Sequence, residues 1–380
     1  MNRISREIQD GLAAEQVALL PVARNPLPGE TFVRKSVLFA AAILVSSTVC
    51  NAADHPKYAE PNKAKVSGIL PDYIKSKTPL TGELRSVGAD TMEDLMTLWI
   101  QDFQTMYPGV HITMEAKASG TAAPALTAGT ADIGPVAREV LPNEEAPFKA
   151  KFGYDLTGFS VAGGSYRTPG KTHAIAMLVN EKNPVSKLTL AELDAIYSTT
   201  RKRGYKEVKT WGDVGATGEF ADKPIHLWGL IQPNGIAYYL QERVLEGGEY
   251  KSGITERTTV GSLPALEAVA RGVADDPYAI GYSSFYDQAN VKGTKALTLA
   301  DTEAGPYYSG TFGQVAEQKY PLSRVIYIFM NRKPGTPLDP EVREFLKFVL
   351  SKQGQEDVAK EGSFLPLPAS FVREQRERLQ

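Results

Sequence analysis

Residues 84–103 read LRSVGADTMEDLMTLWIQDF, and this stretch decides the expected fold. Its beginning, Leu84–Gly88, has the pattern of a short strand that runs into a turn. Apolar side chains then recur at spacings of three and four residues, at Met92, Leu95, Met96, Trp99 and Phe103. Because this spacing places the side chains on one face of a helix, the stretch predicts a strand–turn–helix unit.

The same alternation of strand and helix patterns continues along the chain. Strand patterns recur at Val110–Met114, Ala131–Gly134, Ala174–Val179, Leu227–Gly229, Ala279–Tyr282 and Val325–Met330. Helix patterns recur at Ala122–Ala128, Leu190–Tyr197 with Thr189 as its cap, Ile236–Leu245, Pro340–Leu350 and Gln353–Lys360. Strands that alternate with helices predict an α/β protein.

Length and charge narrow the class of protein. The chain has 380 residues, which is enough for two domains or for one large domain with a sizeable core. Lys and Arg number 42 and Asp and Glu number 44, so the formal net charge is −2. A near-neutral chain lacks the basic footprint of a nucleic-acid-binding protein, and we expect no nucleic-acid partner.

The sequence lacks the common motifs for catalysis and for metal binding. Its four histidines, at positions 55, 111, 173 and 226, are scattered and have no metal-ligand spacing. A Gly-x-Ser-x-Gly motif and a phosphate loop ending in Gly-Lys-Ser/Thr are absent. Cys50 is the single cysteine, so neither an intrachain disulfide nor a cysteine-based metal cage can form. We therefore expect no catalytic residues, no metal site and no cofactor.

The N-terminal part has the pattern of a secretory signal. Arg34 and Lys35 precede the apolar run Val37–Val45, which is followed by small residues as far as Ala53. The run is too short to cross a membrane, and a buried core helix is disfavoured by the polar residues that follow. We expect a signal peptide at 33–52, preceded by a non-native extension at 1–32, and a flexible, Pro- and Lys-rich lead-in at 53–80.

Three loops share one local design, in which a strand leads through a small polar turn into a helix start. Loop 1 is Gly-Ala-Asp-Thr-Met at 88–92, loop 2 is Ala-Ser-Gly-Thr at 118–121, and loop 3 is Gln-Pro-Asn-Gly at 232–235. A helix start offers N–H donors and a positive dipole end to an anion, and hydroxyl groups add further donors. The alternative is that these polar side chains are ordinary helix caps. Three such loops in one exported α/β chain favour an anion site.

Seven longer segments carry a family resemblance: Ser86–Met96, Gly129–Arg138, Leu188–Tyr197, Lys209–Asp213, Gly281–Ser283, Tyr320–Arg324 and Phe345–Pro368. In order and spacing they resemble the phosphate-binding protein of bacterial Pst ABC uptake systems, over roughly residues 82–370. The resemblance implies a two-lobed periplasmic-binding-protein fold of type II, with mixed sheets flanked by helices and a ligand cleft between the lobes.

The resemblance also implies how the chain is divided and what it binds. One lobe would comprise residues 81–173 and the return segment 290–380, and the other lobe would comprise residues 174–289. The partners would be inorganic phosphate or a related oxyanion and an ABC permease in the inner membrane. We expect a monomer that is periplasmic, or secreted.

Site residues follow from the resemblance position by position. Oxyanion contacts fall on loop 1 at Thr91 and Met92, on loop 2 at Ser119, Gly120 and Thr121, on Arg138 at the cleft edge, and on loop 3 at Asn234 and Gly235. The sequence departs from the family at the third loop, where Leu230 replaces Arg, Asn234 replaces Ser and Ile236 replaces Thr. Ala137 replaces a polar residue before Arg138. We therefore expect weaker phosphate binding than is typical of the family.

Three functions stay open on the sequence alone. The first is a solute-binding protein that delivers phosphate or a related oxyanion to an ABC permease. The second is a binding module of the same type whose ligand has changed, or which acts as a sensor or a surface protein. The third is a secreted phosphatase on this scaffold, against which the missing nucleophile–base pair argues.

Overall fold

The computed structural model describes residues 64–380. Its strands within that range are β1 Gly82–Ala89, β2 Val110–Lys117, β3 Gly134–Val136, β4 Thr157–Gly163, β5 Ile175–Asn180, β6 Lys187–Thr189, β7 His226–Leu230, β8 Thr255–Arg257, β9 Ala279–Ser284, β10 Thr294–Ala296, β11 Thr298–Ala300 and β12 Val325–Met330. Its α-helices are α1 Glu93–Met106, α2 Ala122–Ala128, α3 Pro142–Phe152, α4 Leu190–Tyr197, α5 Gly235–Arg243, α6 Ala265–Asp275, α7 Phe285–Ala289, α8 Phe312–Ala316, α9 Pro340–Val349, α10 Lys352–Glu361 and α11 Ala369–Glu377.

Strand pairing groups these elements into two larger assemblies. β1 and β2 are parallel, and β12 lies between β3 and β4 in an antiparallel sheet. A five-stranded mixed sheet has the order β10-β5-β9-β7-β8, and β11 pairs with β6. A parallel bridge between Ser86 and Ile133 joins β1 to the chain just before β3.

Buried apolar side chains form two main clusters that follow this grouping. The end core comprises buried side chains between residues 70 and 162 and between residues 326 and 379. The middle core comprises buried side chains between residues 174 and 322, together with Leu365. A small third cluster, which includes Val87, Leu126 and Phe148, lies under α2 and α3. Each core is large enough to exclude water from its own set of elements.

Two crossing segments connect the end core to the middle core. The first runs from β4 to β5 and the second runs from Leu322 to β12. They are hydrogen-bonded to each other, with 2.7 Å between Gly164 N and Arg324 O and 3.0 Å between Ile175 N and Leu322 O. The two connections therefore run side by side.

The pairing of β10 and β11 bears on where the chain leaves the middle core. Both strands lie beyond residue 290, yet they pair with β5 and β6, and Leu297 and Leu299 belong to the middle core. Strand pairing therefore favours a return near Leu322. The lobe boundaries at 174 and 289 stay a prediction.

Local sequence patterns predicted many of these elements correctly. The helix Leu190–Tyr197 is confirmed, and the Thr189 hydroxyl caps it by accepting a hydrogen bond of 3.1 Å from the Glu192 N–H. The strand Val325–Met330 and the helix Ala122–Ala128 are confirmed as well. The helices α3, α6, α7, α8 and α11 and the strands β4, β6, β8, β10 and β11 were not predicted.

The expected lead-in is described from residue 64 onward, and it contains neither helix nor strand as far as residue 81. It is nevertheless tied to the end core. Leu70 is buried, and the Tyr73 hydroxyl hydrogen-bonds to Tyr107 and to Glu344, each at 2.8 Å. The predicted extension and signal peptide lie outside the described residues. Within residues 64–380, no helix is both long and apolar enough to cross a membrane.

Candidate functional site

The parallel pairing of β1 and β2 brings loop 1 and loop 2 together. Ala89 and Lys117, the last residues of the two strands, are paired in register, so both loops leave the sheet at the same edge. Loop 1 passes through a single 3-10 turn, Asp90–Met92, before α1, and loop 2 passes through the turn Ser119–Thr121 before α2. The predicted strand–turn–helix design is confirmed for both.

Residues 137 and 138 lie beside these two loops. The Ser119 hydroxyl accepts a hydrogen bond of 3.2 Å from the Ala137 N–H. The Thr172 hydroxyl, on the first crossing segment, donates to the Ala137 carbonyl, and the neighbouring Lys171 ammonium donates to the Thr91 carbonyl at 2.6 Å. The crossing segment therefore links loop 1 to the chain around Arg138.

Arg138 joins loop 3 to this group. A Cβ atom built on Gly235 would lie 2.6 Å from Arg138 Cδ, and one built on Gly120 would lie 3.4 Å from Arg138 Nη2. Gly235 thus leaves room for the arginine side chain, whereas at Gly120 the nearest atom to such a Cβ is Glu144 Oε1, at 2.8 Å. The Arg138 side chain lies between loop 2 and loop 3. Gly120 of loop 2 and Gly235 of loop 3 therefore flank the Arg138 side chain, and loop 1 is tied to this segment of chain through Lys171 and Thr172.

Some of the predicted donors are engaged within the protein. The Thr91 N–H donates to the Asp90 carboxylate at 2.9 Å, and the Thr121 hydroxyl donates to the Ala118 carbonyl at 2.7 Å. The Thr91 hydroxyl is different: it is buried and has no hydrogen-bond partner among residues 64–380. Because a buried hydroxyl without a partner is costly, this group is the clearest candidate for contact with a ligand.

Loop 3 uses its polar groups to begin helix α5. The Asn234 side-chain oxygen accepts hydrogen bonds from the N–H groups of Ile236 at 2.8 Å and of Ala237 at 3.4 Å. Two of the N–H donors at the start of α5 are therefore capped by the protein itself. The Asn234 side-chain nitrogen and the Gly235 N–H remain as donors in this loop, within the described part of the chain.

The apolar residues of the site contribute mainly to packing. Leu230 is 3% exposed and belongs to the middle core, and its N–H donates to the Tyr282 hydroxyl at 2.8 Å. Ile236 is half-buried against the same core. Met92 has no exposed surface, so neither its side chain nor its backbone faces solvent in this conformation. The residue that stands in place of the family's arginine is thus a core residue in this chain.

Sequence analysis missed the charged groups that surround Arg138. Glu144 pairs with Arg138 through both of its carboxylate oxygens, at 2.8 Å and 2.5 Å. Glu139 pairs with Arg324 at 2.7 Å, and the Arg324 guanidinium lies 4.9 Å from the centre of the Tyr239 ring on α5. A proline followed by Glu two residues later, at 142–144, is a helix-start signal that could have located Glu144.

Burial and these ion pairs shift two pKa values near the site. Burial alone would raise the pKa of Glu144, but hydrogen bonds from Arg138 and from the Leu141 N–H hold it below its ordinary value. Burial lowers the pKa of His173, on the first crossing segment, to about 4, and the nearby Arg324 acts in the same direction. Glu144 is therefore ionised and His173 neutral at neutral pH.

No group of three or more His, Cys, Asp or Glu side chains is placed to hold a metal ion anywhere in the described range. The residues that the sequence predicted for the site offer a guanidinium, hydroxyls, an amide and backbone N–H groups. All of these groups can donate hydrogen bonds, which is the chemistry that an oxyanion requires.

Comparison with known proteins gives the family. The family model described as a PBP superfamily domain matches residues 74–353. The chain is 38% identical to the phosphate-binding protein PstS of Pseudomonas aeruginosa over 311 residues, which cover 81% of this chain and 90% of the relative. It is 24% identical to the phosphate-binding protein PstS of Staphylococcus saprophyticus, with 78% and 84% covered.

A solved structure is also similar. The crystal structure of an ABC-type phosphate transport receptor from Vibrio cholerae aligns with a TM-score of 0.45 at 19% identity, and the alignment covers 74% of this chain and 99% of that one. The predicted α/β fold class, with mixed sheets flanked by helices, is confirmed. The chain belongs to the PBP superfamily of binding-protein domains.

Proposed function

We propose that this protein is a solute-binding protein that takes up inorganic phosphate, or a closely related oxyanion, for an ABC transporter. The observation that carries the proposal is the position of the Arg138 guanidinium between Gly120 and Gly235. A guanidinium binds a tetrahedral oxyanion by paired, charge-assisted hydrogen bonds. The names of the relatives, which are phosphate-binding proteins, identify the class of anion.

The donors for the anion come from all three loops. The buried Thr91 hydroxyl supplies one hydrogen bond, and Arg138 supplies its unengaged N–H groups. From the other side, the Asn234 side-chain nitrogen and the Gly235 N–H complete the shell. Ser119, Gly120 and Thr121 shape the cradle on the first side, and the buried Met92 supports loop 1 from beneath.

We also propose that the two cores are the two lobes of a cleft that closes by bending at the crossing segments. The role is binding, not catalysis, in keeping with relatives that are named as binding proteins. The protein would act as a periplasmic monomer and deliver its ligand to an inner-membrane permease. The signal pattern at 33–52 supports export.

The test is calorimetry on protein from which bound ligand has been removed by unfolding and refolding. Phosphate, arsenate, sulfate and a phosphonate are titrated in turn. We expect binding of phosphate and arsenate, with weaker or no binding of the others. Absence of phosphate binding, with tight binding of another solute, would show that the cleft has changed its ligand. Phosphate release from a model ester, with and without added divalent metal, would instead indicate an enzyme.

A further inference from the structure

The ion pair between Arg138 and Glu144 lies inside the proposed site. Glu144 Oε2 is 2.8 Å from Arg138 Nη1, and Glu144 Oε1 is 2.5 Å from Arg138 Nη2, so the carboxylate binds both terminal nitrogens of the guanidinium. The two side chains are only 22% and 17% exposed. Charges shielded to this degree are screened less by salt than surface pairs are, and each affects the potential of the cleft.

The pair leaves one edge of the guanidinium available. Arg138 Nη1 uses both of its hydrogens, on Glu144 and on the Glu139 carbonyl at 2.7 Å. The Nε–H and one Nη2 hydrogen have no partner among the described residues. Both nitrogens lie near the glycines of the opposing loops, since Nε is 3.6 Å from a Cβ built on Gly235 and Nη2 is 3.4 Å from one built on Gly120. Glu144 Oε1 lies closer still to the Gly120 position, at 2.8 Å, so the carboxylate itself packs against loop 2.

We propose that Glu144 is a positioning residue that sets the affinity of the anion site. It orients Arg138 so that the Nε–Nη2 edge faces the gap between loops 2 and 3, and its own charge cancels the charge of that guanidinium. An anion on the free edge therefore binds an arginine that is already neutralised. This inference rests on the proposed function.

Replacing the Glu144 carboxylate by an amide should change the charge of the site more than it changes the orientation of Arg138. Glutamine at position 144 keeps an oxygen that can accept from Arg138 and from the Leu141 N–H, which now donates to Glu144 at 3.0 Å. The helix start and the arginine position are thereby largely kept, whereas the negative charge near the anion is lost. Removing a like charge at this distance strengthens the attraction for an anion.

The experiment compares Glu144→Gln with Glu145→Gln by calorimetry with inorganic phosphate on the stripped, full chain. Glu145 is the next residue of α3, and its carboxylate accepts from the Leu156 N–H at 3.0 Å, not from Arg138. We expect Glu144→Gln to bind phosphate about tenfold more tightly than the unchanged chain, a difference of about 1.4 kcal/mol. Glu145→Gln should bind as the unchanged chain does.

Two further measurements separate charge from structure. Glu144→Asp keeps the charge but shortens the reach, so it should give no gain in affinity. The affinity of Glu144→Gln should fall more steeply with added sodium chloride than that of the unchanged chain, because its site carries a net positive charge. If the glutamine variant does not fold, Glu144→Met, which is of similar length and uncharged, should also bind more tightly than the unchanged chain, but with a smaller gain because methionine cannot accept hydrogen bonds from Arg138.

The outcomes distinguish this inference from the proposed function. Unchanged or weaker binding by both uncharged variants, with normal binding by the unchanged chain, overturns the role of Glu144 alone. Binding by Glu144→Gln but not by the unchanged chain supports it. Absence of phosphate binding in every variant overturns the proposed function and this inference together.

Discussion

The loops that follow β1 and β2 differ from the loop that follows β7 in how they use their polar groups. On the first side, the Thr91 hydroxyl is buried without a partner, and one edge of Arg138 stays available. On the second side, Asn234 caps its own helix and Leu230 is part of the core. In the function that we propose, the site is therefore asymmetric: the first side supplies most of the binding donors and the second side mainly covers the anion.

The largest effect is expected when a charge is restored to the second side, where the family has an arginine. Leu230→Arg would place a guanidinium at a position that is 3% exposed in the middle core. A buried charge without a partner destabilises by about 3–5 kcal/mol, so we expect a large loss in the free energy of unfolding and no gain in phosphate affinity. Denaturant unfolding measures the loss, with Leu230→Met as the matched control. A stable variant with tighter binding would show that residue 230 can reach the cleft.

Removing the guanidinium of the first side tests the comparison from the other direction. Arg138→Gln should weaken phosphate binding by about 1.5–3 kcal/mol, the usual contribution of a charge-assisted hydrogen bond, or roughly tenfold to more than a hundredfold. Arg271→Gln is the control, because Arg271 also pairs with a glutamate, at 2.6 Å, but on the surface of α6. Equal affinities of the two variants would remove Arg138 from the site.

Acid should lower the stability of the protein through His173, on the first crossing segment. Since the pKa of His173 is about 4 in the fold and about 6.5 when unfolded, the neutral ring is favoured in the folded protein. Its contribution to stability is present above about pH 6.5 and is lost as the pH falls toward 4, on the order of 2 kcal/mol by pH 5. His173→Gln should flatten the decline in melting temperature over this range. The matched control is the exposed His111, on β2, replaced in the same way.

The Thr91 hydroxyl of loop 1 should have a smaller effect on phosphate affinity. Thr91→Val removes the unpartnered hydroxyl while keeping the shape of the side chain. We expect a loss of about 0.5–1.5 kcal/mol in phosphate binding, with thermal stability unchanged or slightly improved. Thr105→Val, on the same stretch of chain, removes a hydroxyl that bonds only to the Gln101 carbonyl. If both variants bind phosphate equally well, the Thr91 hydroxyl faces no ligand.

Local patterns in the sequence were sufficient for many of the elements but not for the pairing of charges. The spacing of Met92, Trp99 and Phe103 predicted α1 because helical periodicity depends only on near neighbours. The Arg138–Glu144 pair was missed because α3 was not predicted, and without that helix nothing places the two side chains together.

The direction in which a side chain points was the second feature that could not be predicted from the sequence. Asn234 was expected as an anion contact, and its residue type fits a helix cap equally well. Only the fold shows that its oxygen accepts from Ile236 and Ala237, which leaves the nitrogen as the donor. The contact between Arg138 and Gly235 likewise depends on how the two cores face each other, which no local pattern encodes.

The hydrogen bonds between the two crossing segments have a consequence for the evolution of the chain. Ile175 N and Leu322 O, at the two ends of the middle core, are 3.0 Å apart. The middle core therefore enters and leaves the rest of the protein at one point, in the manner of a domain inserted into a pre-existing loop. A short linker could replace everything between these residues without spanning a gap. The same point of attachment would let a different inserted domain be exchanged for the present one.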